Sequence, residues 1–384
     1  MYGVIMVKID IKLLEELSNA FGPSGFELDV QKILKKYVEE FADEILQDRT
    51  GSLIFTAKGD EMGPKIMIAG HVDEIGFQVS AITKDGYIKF HQLGGWWDQT
   101  LLSQRVIIKT MEGNLIPGII AAKPPHVIEA EERNKVVKKS SMFIDIGCTN
   151  EKEAKKLNLR IGDPIIPDSK FEIWERPRIS KKEENNEGDI EETVKLAVGK
   201  AFDDRIGALI TTEIVKMLKK EGISHPNIVY GAATVQEEVG LRGARTTAQM
   251  IKPDIGIVLE VDIAGDVPGI DETKAPAKMG KGPSILTYDG SMIPNPRLRD
   301  FVIRTAEELD IPHQLSLVPG GGTDAGIIHI TEMGCPSIVI GIPTRHIHAH
   351  NGIMDLKDTE NAIKLIIELV KRLDKKTVES FTRI

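Results

Sequence analysis

The chain has 384 residues, 41% hydrophobic and 28% charged, with a formal net charge of −9. Its length exceeds what one hydrophobic core usually serves, so two domains are expected, and an acidic balance with no lysine-arginine block argues against nucleic acid and an anionic membrane surface. Its two cysteines, Cys148 and Cys335, lie far apart; no apolar run nears the ~20 residues that span a bilayer, and the first residues are too weakly apolar for a signal peptide, so a reducing cytoplasm fits.

In chain order, the periodicity predicts a helix over Ile9–Phe21, broken at Pro23-Ser24-Gly25, and an amphipathic helix from Glu27 to about Ala42. Strands follow at Ser52–Phe55 and Lys65–Ala69, the second running into Gly70-His71. From Ile75 to Pro167 the texture changes to short apolar runs between turn residues: Gly76–Ile82, Tyr87–Phe90, Arg105–Lys109, Leu115–Ile120 and Met142–Ile146. Such spacing predicts a small β-barrel inserted into an α/β domain, with a short helix over Glu151–Leu157 and a turn at Gly162-Asp163-Pro164. Trp96 and Trp97 read as exposed aromatics on this insert, a mark of an interface. Ser180–Val194 is polar and aperiodic and reads as a mobile surface loop. The α/β pattern then resumes with helices at Ile206–Lys219, Gly243–Ile251, Asn295–Leu309 and Thr359–Leu373. Strands alternate with them at Ile228–Thr234, Ile255–Val261, His313–Leu317 and Ser337–Ile342. The expected fold is a mixed α/β sheet with helices on both faces, split as 1–74 and 168–384 around a barrel at 75–167.

The sharpest chemical signal is Gln236-Glu237-Glu238-Val239-Gly240 at the end of the apolar run Asn227–Thr234. Adjacent carboxylates repel unless a cation balances them; one can ligate and its neighbour can accept a proton. His71-Val72-Asp73 also ends an apolar strand, where residues two apart share a side, so Asp73 can orient the imidazole as carboxylates do for metal-bound histidines. Alone, a His-x-Asp is an ordinary strand-end turn. Asp203-Asp204 begins a helix, where acids are common; two of them beside Arg205 as partner suggest more, with Asp203 bridging two cations. Glu260 ends another apolar strand, and His346, His348 and His350 gather after a third. Jointly these donors fit two divalent cations sharing a carboxylate.

These residues, with Gly22-Pro23-Ser24-Gly25-Phe26-Glu27, Gly70-His71-Val72-Asp73-Glu74-Ile75-Gly76, Leu93-Gly94-Gly95-Trp96, Lys123-Pro124-Pro125-His126, Ala264-Gly265-Asp266, Gly321-Gly322-Thr323-Asp324-Ala325 and Pro343-Thr344-Arg345, give the chain a resemblance over nearly its whole length. It resembles the co-catalytic metallo-aminopeptidases that include the tetrahedral (TET), glutamyl and deblocking enzymes, some labelled endoglucanases. The resemblance implies one metal on His71, Asp203 and Glu260, a second on Asp203, Glu238 and His348, Glu237 as catalytic base and Asp73 as the carboxylate supporting His71. It also implies two divalent ions, zinc by default with cobalt or manganese as substitutes, short peptide substrates, and dimers through the barrel that build dodecamers. Glu260 stands where the family more often has Asp, and His346 where it has Tyr. An N-deacylase or carboxypeptidase-like amidohydrolase of the same metal architecture is the rival reading, and an endoglucanase a remoter one.

Overall fold

The computed structural model describes residues 7–181 and 189–384. The first six residues, read above as no signal peptide, and residues 182–188 of the polar stretch lie outside it.

Four parallel strands form the centre of an eleven-stranded sheet, in the order Ile228–Thr234, Lys65–His71, Ile255–Ile263 and Ser337–Arg345. Each is an almost continuous apolar run, as a strand buried on both faces requires. Alternation sends Ile66 and Ile68 into one core, with helices Ile11–Asn19, Leu28–Val38, Phe202–Lys220 and Leu356–Arg372. Met67 and Ala69 enter the other, with helices Arg242–Ile251 and Ala325–Ile328. Antiparallel strands extend both edges: Leu53–Lys58 and Ile45–Gln47 on one side, Gly352–Asp355, Asp189–Gly199 and Glu172–Lys181 on the other. Ser284–Asp289 pairs with Ser337–Arg345 and carries Gln314–Val318 in parallel. Among the described residues, no helix is long and apolar enough to cross a membrane.

Where Lys65–His71 meets helix Phe202–Lys220 the backbones almost touch. A Cβ on Gly70 would sit 2.4 Å from the Gly207 carbonyl carbon. Glycine at 70 is therefore a condition for bringing Asp203 beside His71.

Between Gly76 and Pro167, six antiparallel strands close into a barrel in the order Gly76–Ile82, Ile88–Leu93, Phe143–Asp145, Leu115–Ala121, Arg105–Lys109, Pro164–Pro167. Along Leu115–Ala121 burial alternates, with Ile116 and Ile120 inside and Leu115 and Ile119 outside, the period of two that a barrel strand requires.

Two expectations are corrected. Trp96 is buried, stacking on Phe77 at 4.8 Å; of the pair, Trp97 alone is exposed. The described ends of the supposed loop, Ser180–Lys181 and Asp189–Val194, belong to a long hairpin of Glu172–Lys181 with Asp189–Gly199. Much of its side-chain surface faces solvent, so no apolar alternation marks it. Pairing of Leu196–Gly199 with Gly352–Asp355 anchors it to the sheet. Helix Phe202–Lys220 starts at the aspartate pair as read, with non-helical dihedrals at Asp203 and Asp204.

Candidate active site

Chemistry-bearing side chains gather at the carboxyl ends of the parallel strands, where open α/β sheets bind ligands. His71 and Glu260 share the strand face of Met67, Ala69 and Val258, because period two carries the core pattern past the end of each apolar run. Glu237 and Glu238 lie in the turn after Ile228–Thr234, and His348 in the loop after Ser337–Arg345. Asp203 reaches in from the irregular start of helix Phe202–Lys220. Ala201, Gln236, His346 and His348 have φ of 58°, 57°, 61° and 54° without being glycine. Strain of this kind persists where surrounding structure enforces it, often at functional sites.

The seven residues to which the resemblance gives a role come together. Asp203 Oδ1 lies 3.1 Å from His71 Nε2, and Asp203 Oδ2 lies 3.1 Å from His348 Nε2. One carboxylate thus offers an oxygen to each imidazole. Glu260 Oε1 stands 3.6 Å from His71 Nε2, and Glu238 Oε1 stands 3.5 Å from His348 Nε2. Two donor groups result, His71-Asp203-Glu260 and Asp203-Glu238-His348, each with one ligand atom per residue within 4.8 Å of the others. Glu237 Oε2 lies 3.8 Å from His71 Nε2. His350 packs on Trp96 and its nitrogens have no hydrogen-bond partner.

Asp73 is the hub. Its Oδ1 accepts the Glu237 N–H at 2.9 Å; its Oδ2 accepts the Glu238 N–H at 3.1 Å and the Ser24 hydroxyl at 2.7 Å. Oδ1 also lies 3.5 Å from His71 Nδ1, whose nearer partner is the Asp73 carbonyl at 3.1 Å. Asp73 therefore ties the Glu237-Glu238 turn through its carboxylate and holds the imidazole chiefly through its backbone carbonyl. Arg205 does not pair with its neighbouring aspartates, as the sequence suggested. Its guanidinium binds Glu74 at 2.9 Å and the carbonyls of Leu17, Ala20, Gly22 and Val72. The reason is geometric: the end of the first helix presents the carbonyls of Leu17, Ala20 and Gly22 together, facing Val72 and Glu74 just past the strand. Lys200 completes the cluster, holding both Glu74 oxygens at 2.7 and 2.8 Å. Asp324, present above only inside a glycine-rich motif, is buried and accepts the Thr234 hydroxyl at 2.5 Å.

The electrostatics follow from acids outnumbering bases. Burial, then the charge of Asp203, pushes Glu238 up to about 8; burial, with Asp203 adding, pushes Glu260 to about 8. Burial raises Glu237, with Glu260, Asp324 and Glu238 adding to it, and lifts Asp324 to about 6. Burial would raise Asp203 too, but hydrogen bonds from His348 and His71 outweigh it and hold it low. Burial opposes protonation of His348, yet Asp203 and Glu238 carry it to about 9. Carboxylates this crowded need more positive charge than two imidazoles supply. Glu238 Oε1 is buried with no hydrogen-bond partner. An orphaned oxygen beside an imidazole, in a set of nitrogen and carboxylate donors, fits a divalent cation.

Fold and site together define a hydrolase of the exopeptidase class carrying an inserted barrel. The model of the M42 glutamyl aminopeptidase family matches residues 51–365, and the chain belongs to that family. The TET aminopeptidase of the marine sediment archaeon Thaumarchaeota archaeon SCGC AB-539-E09 is 54% identical, over 97% of this chain and 98% of its own, with a TM-score of 0.90. The lysyl aminopeptidase of Pyrococcus furiosus is 31% identical over 95% of this chain and 98% of its own length. The TET1 peptidase of Pyrococcus horikoshii, which can assemble into a tetrahedron or a large octahedral shell, is 28% identical with a TM-score of 0.77, over 94% of this chain and 99% of its own. The chain is a peptide hydrolase of the aminopeptidase type.

Proposed function

We propose that this chain is a dinuclear-metal aminopeptidase that removes the N-terminal residue of short peptides. The observation that carries the reading is Asp203, whose two oxygens face two different imidazoles at 3.1 Å each. His71, Asp203 and Glu260 would hold one divalent ion, and Asp203, Glu238 and His348 the other. The mixed imidazole and carboxylate donors suit zinc, and cobalt or manganese can occupy the same ligands. Such a pair, when bound, polarises a carbonyl and brings the pKa of water near 7.

The side chains divide the remaining work. Glu237 sits beside the first ligand group without belonging to either, so its carboxylate is free to take the nucleophile's proton and return it to the departing amine. Asp73 holds the Glu237 backbone and the His71 ring in one frame, so base and ligand keep their spacing. Adjacent carboxylates in one turn are poorly placed to flank a glycosidic bond, which tells against the glycosidase reading.

Trp97, Leu115 and Ile119 of the inserted region are exposed apolar side chains, and the assembly of the TET1 relative suggests an interface there. Dimers through the barrel, built into a dodecamer, would restrict entry to short unfolded peptides. The test is a panel of aminoacyl chromophores with their N-acetylated counterparts, run on metal-stripped and reloaded enzyme. Hydrolysis of free-amine substrates alone, lost in chelator, is expected. Release of acetate from the acetylated substrates with the chromophore retained would favour an N-deacylase, equal chromophore release from both would show that no free amine is required, and activity in chelator would exclude the metal reading.

A further inference from the structure

The two donor groups are built differently. His71 is 1% exposed and, with Glu260, projects from a central strand of the sheet. His348 is 40% exposed and rides on a loop, while Glu238 rides on a turn. Both of these meet the barrel. A Cβ on Gly94, at φ 80°, would lie 2.9 Å from Glu238 Oε2 and 3.2 Å from Glu238 Cβ. A Cβ on Gly95 would lie 3.0 Å from His348 Nδ1 and 3.2 Å from its Cε1, with no other described heavy atom within 4 Å apart from its chain neighbours. His348 Nδ1, the ring nitrogen turned away from Asp203, thus faces the Gly95 backbone.

The next residue anchors this turn on both sides. The Trp96 indole N–H donates to the Gly76 carbonyl at 3.1 Å, and its ring stacks on Phe77 with an interplanar angle of 22°. Lys139 Nζ donates to the Trp96 carbonyl at 2.7 Å. On its other side the indole lies 5.3 Å from the ring of His350, two residues beyond His348. Neither His350 nitrogen has a hydrogen-bond partner, so this ring serves as packing against the tryptophan.

We propose that the barrel turn Gly94-Gly95-Trp96 is the positioning element of the Asp203-Glu238-His348 site, and that this site answers to the barrel whereas the His71-Asp203-Glu260 site does not. The proposal rests on the two-metal reading above. Its physical basis is that a ligating imidazole is oriented by what its other nitrogen meets. Here what that nitrogen meets is a bare backbone, close to the ring only because Gly95 has no side chain. The barrel therefore contributes to the site as well as to any interface it forms.

Gly95→Ala is the direct test, because the backbone there lies outside the left-handed region and the added methyl meets only the His348 ring. Zinc affinity is measured by competition with a chromophoric chelator, beside wild type and His348→Ala, with the melting temperature of the metal-free proteins as a folding control. One equivalent should keep its wild-type affinity, and the other should weaken on the order of 10–100-fold, the usual effect of losing an outer partner of a metal ligand. The equivalent weakened should be the one His348→Ala loses, and Gly95→Ala should do nothing further in that background. A second readout does not depend on the glycine variant: in a Trp97→Phe/Trp174→Phe chain, emission from Trp96 should change with that same equivalent and stay constant with the other. Two equivalents of wild-type affinity in Gly95→Ala, equal weakening of both, or a silent Trp96 would each overturn the proposal. A wild-type chain that saturates at one zinc would instead refute the two-metal reading, and the proposal with it.

Discussion

Replacing Asp73 by Asn removes the charge at the hub while keeping its shape. The native carboxylate is fully buried and accepts two backbone N–H groups and a hydroxyl. The amide has one oxygen to offer. If its NH2 turns toward Ser24, that hydroxyl can rotate and accept, but the Glu238 N–H is left facing a donor; if it turns the other way, the Glu237 N–H is. One buried donor is orphaned either way, at ~1–3 kcal/mol, and the surviving bonds lose charge assistance, so the total comes to about 2–4 kcal/mol. Urea unfolding of the metal-free protein should show that loss. Activity should fall further than stability explains, because the Glu237-Glu238 turn loses the carboxylate that sets it beside the His71 ring. Asp73→Asn with stability within ~0.5 kcal/mol of wild type, the range of unremarkable surface substitutions, and with kcat unchanged would refute the hub.

Glu237→Gln should keep its metal content and lose ~10²–10⁴ in kcat, the range of a general base; Glu238→Gln should lose metal instead, and reversed phenotypes would exchange the two roles. Glu74→Ala strands Lys200 and Arg205 in the interior without their carboxylate, so denaturant unfolding should show a loss of ~3–5 kcal/mol; a change near zero would show that the cluster does not hold the strand end to the first helix. Light scattering should find a particle many times the 42.4 kDa chain, and a fully active monomer at low concentration would contradict both assembly and size selection of substrates.

The parallel core was legible because burial on both faces writes continuous apolar runs, and the site residues sit where those runs stop. That rule points to His71, Glu260 and the Glu237-Glu238 pair, which carry weight as a set and not singly. The hairpin Glu172–Lys181 with Asp189–Gly199 could not, since a largely solvated arm has no face to pattern. Nor could the pairing of Arg205 with Glu74, which are 131 positions apart; proximity in sequence pointed to Asp203 and Asp204, and only the fold brings the helix-end carbonyls together. Trp96 shows the converse: an aromatic beside glycines in a turn reads as exposed, whereas the barrel interior claims it. The contacts of Gly94 and Gly95 with Glu238 and His348 are the least legible of all, because glycine leaves no side chain to read.

The most direct measurement is metal content per chain in wild type, Glu260→Ala, His348→Ala and Asp203→Ala, by elemental analysis after saturation and removal of excess. With Asp203 shared between two sites, wild type should hold two metals, each of the first two variants one, and Asp203→Ala should weaken both sites together. One metal in saturated wild type, or two tightly held metals in Asp203→Ala, would contradict the shared-carboxylate centre.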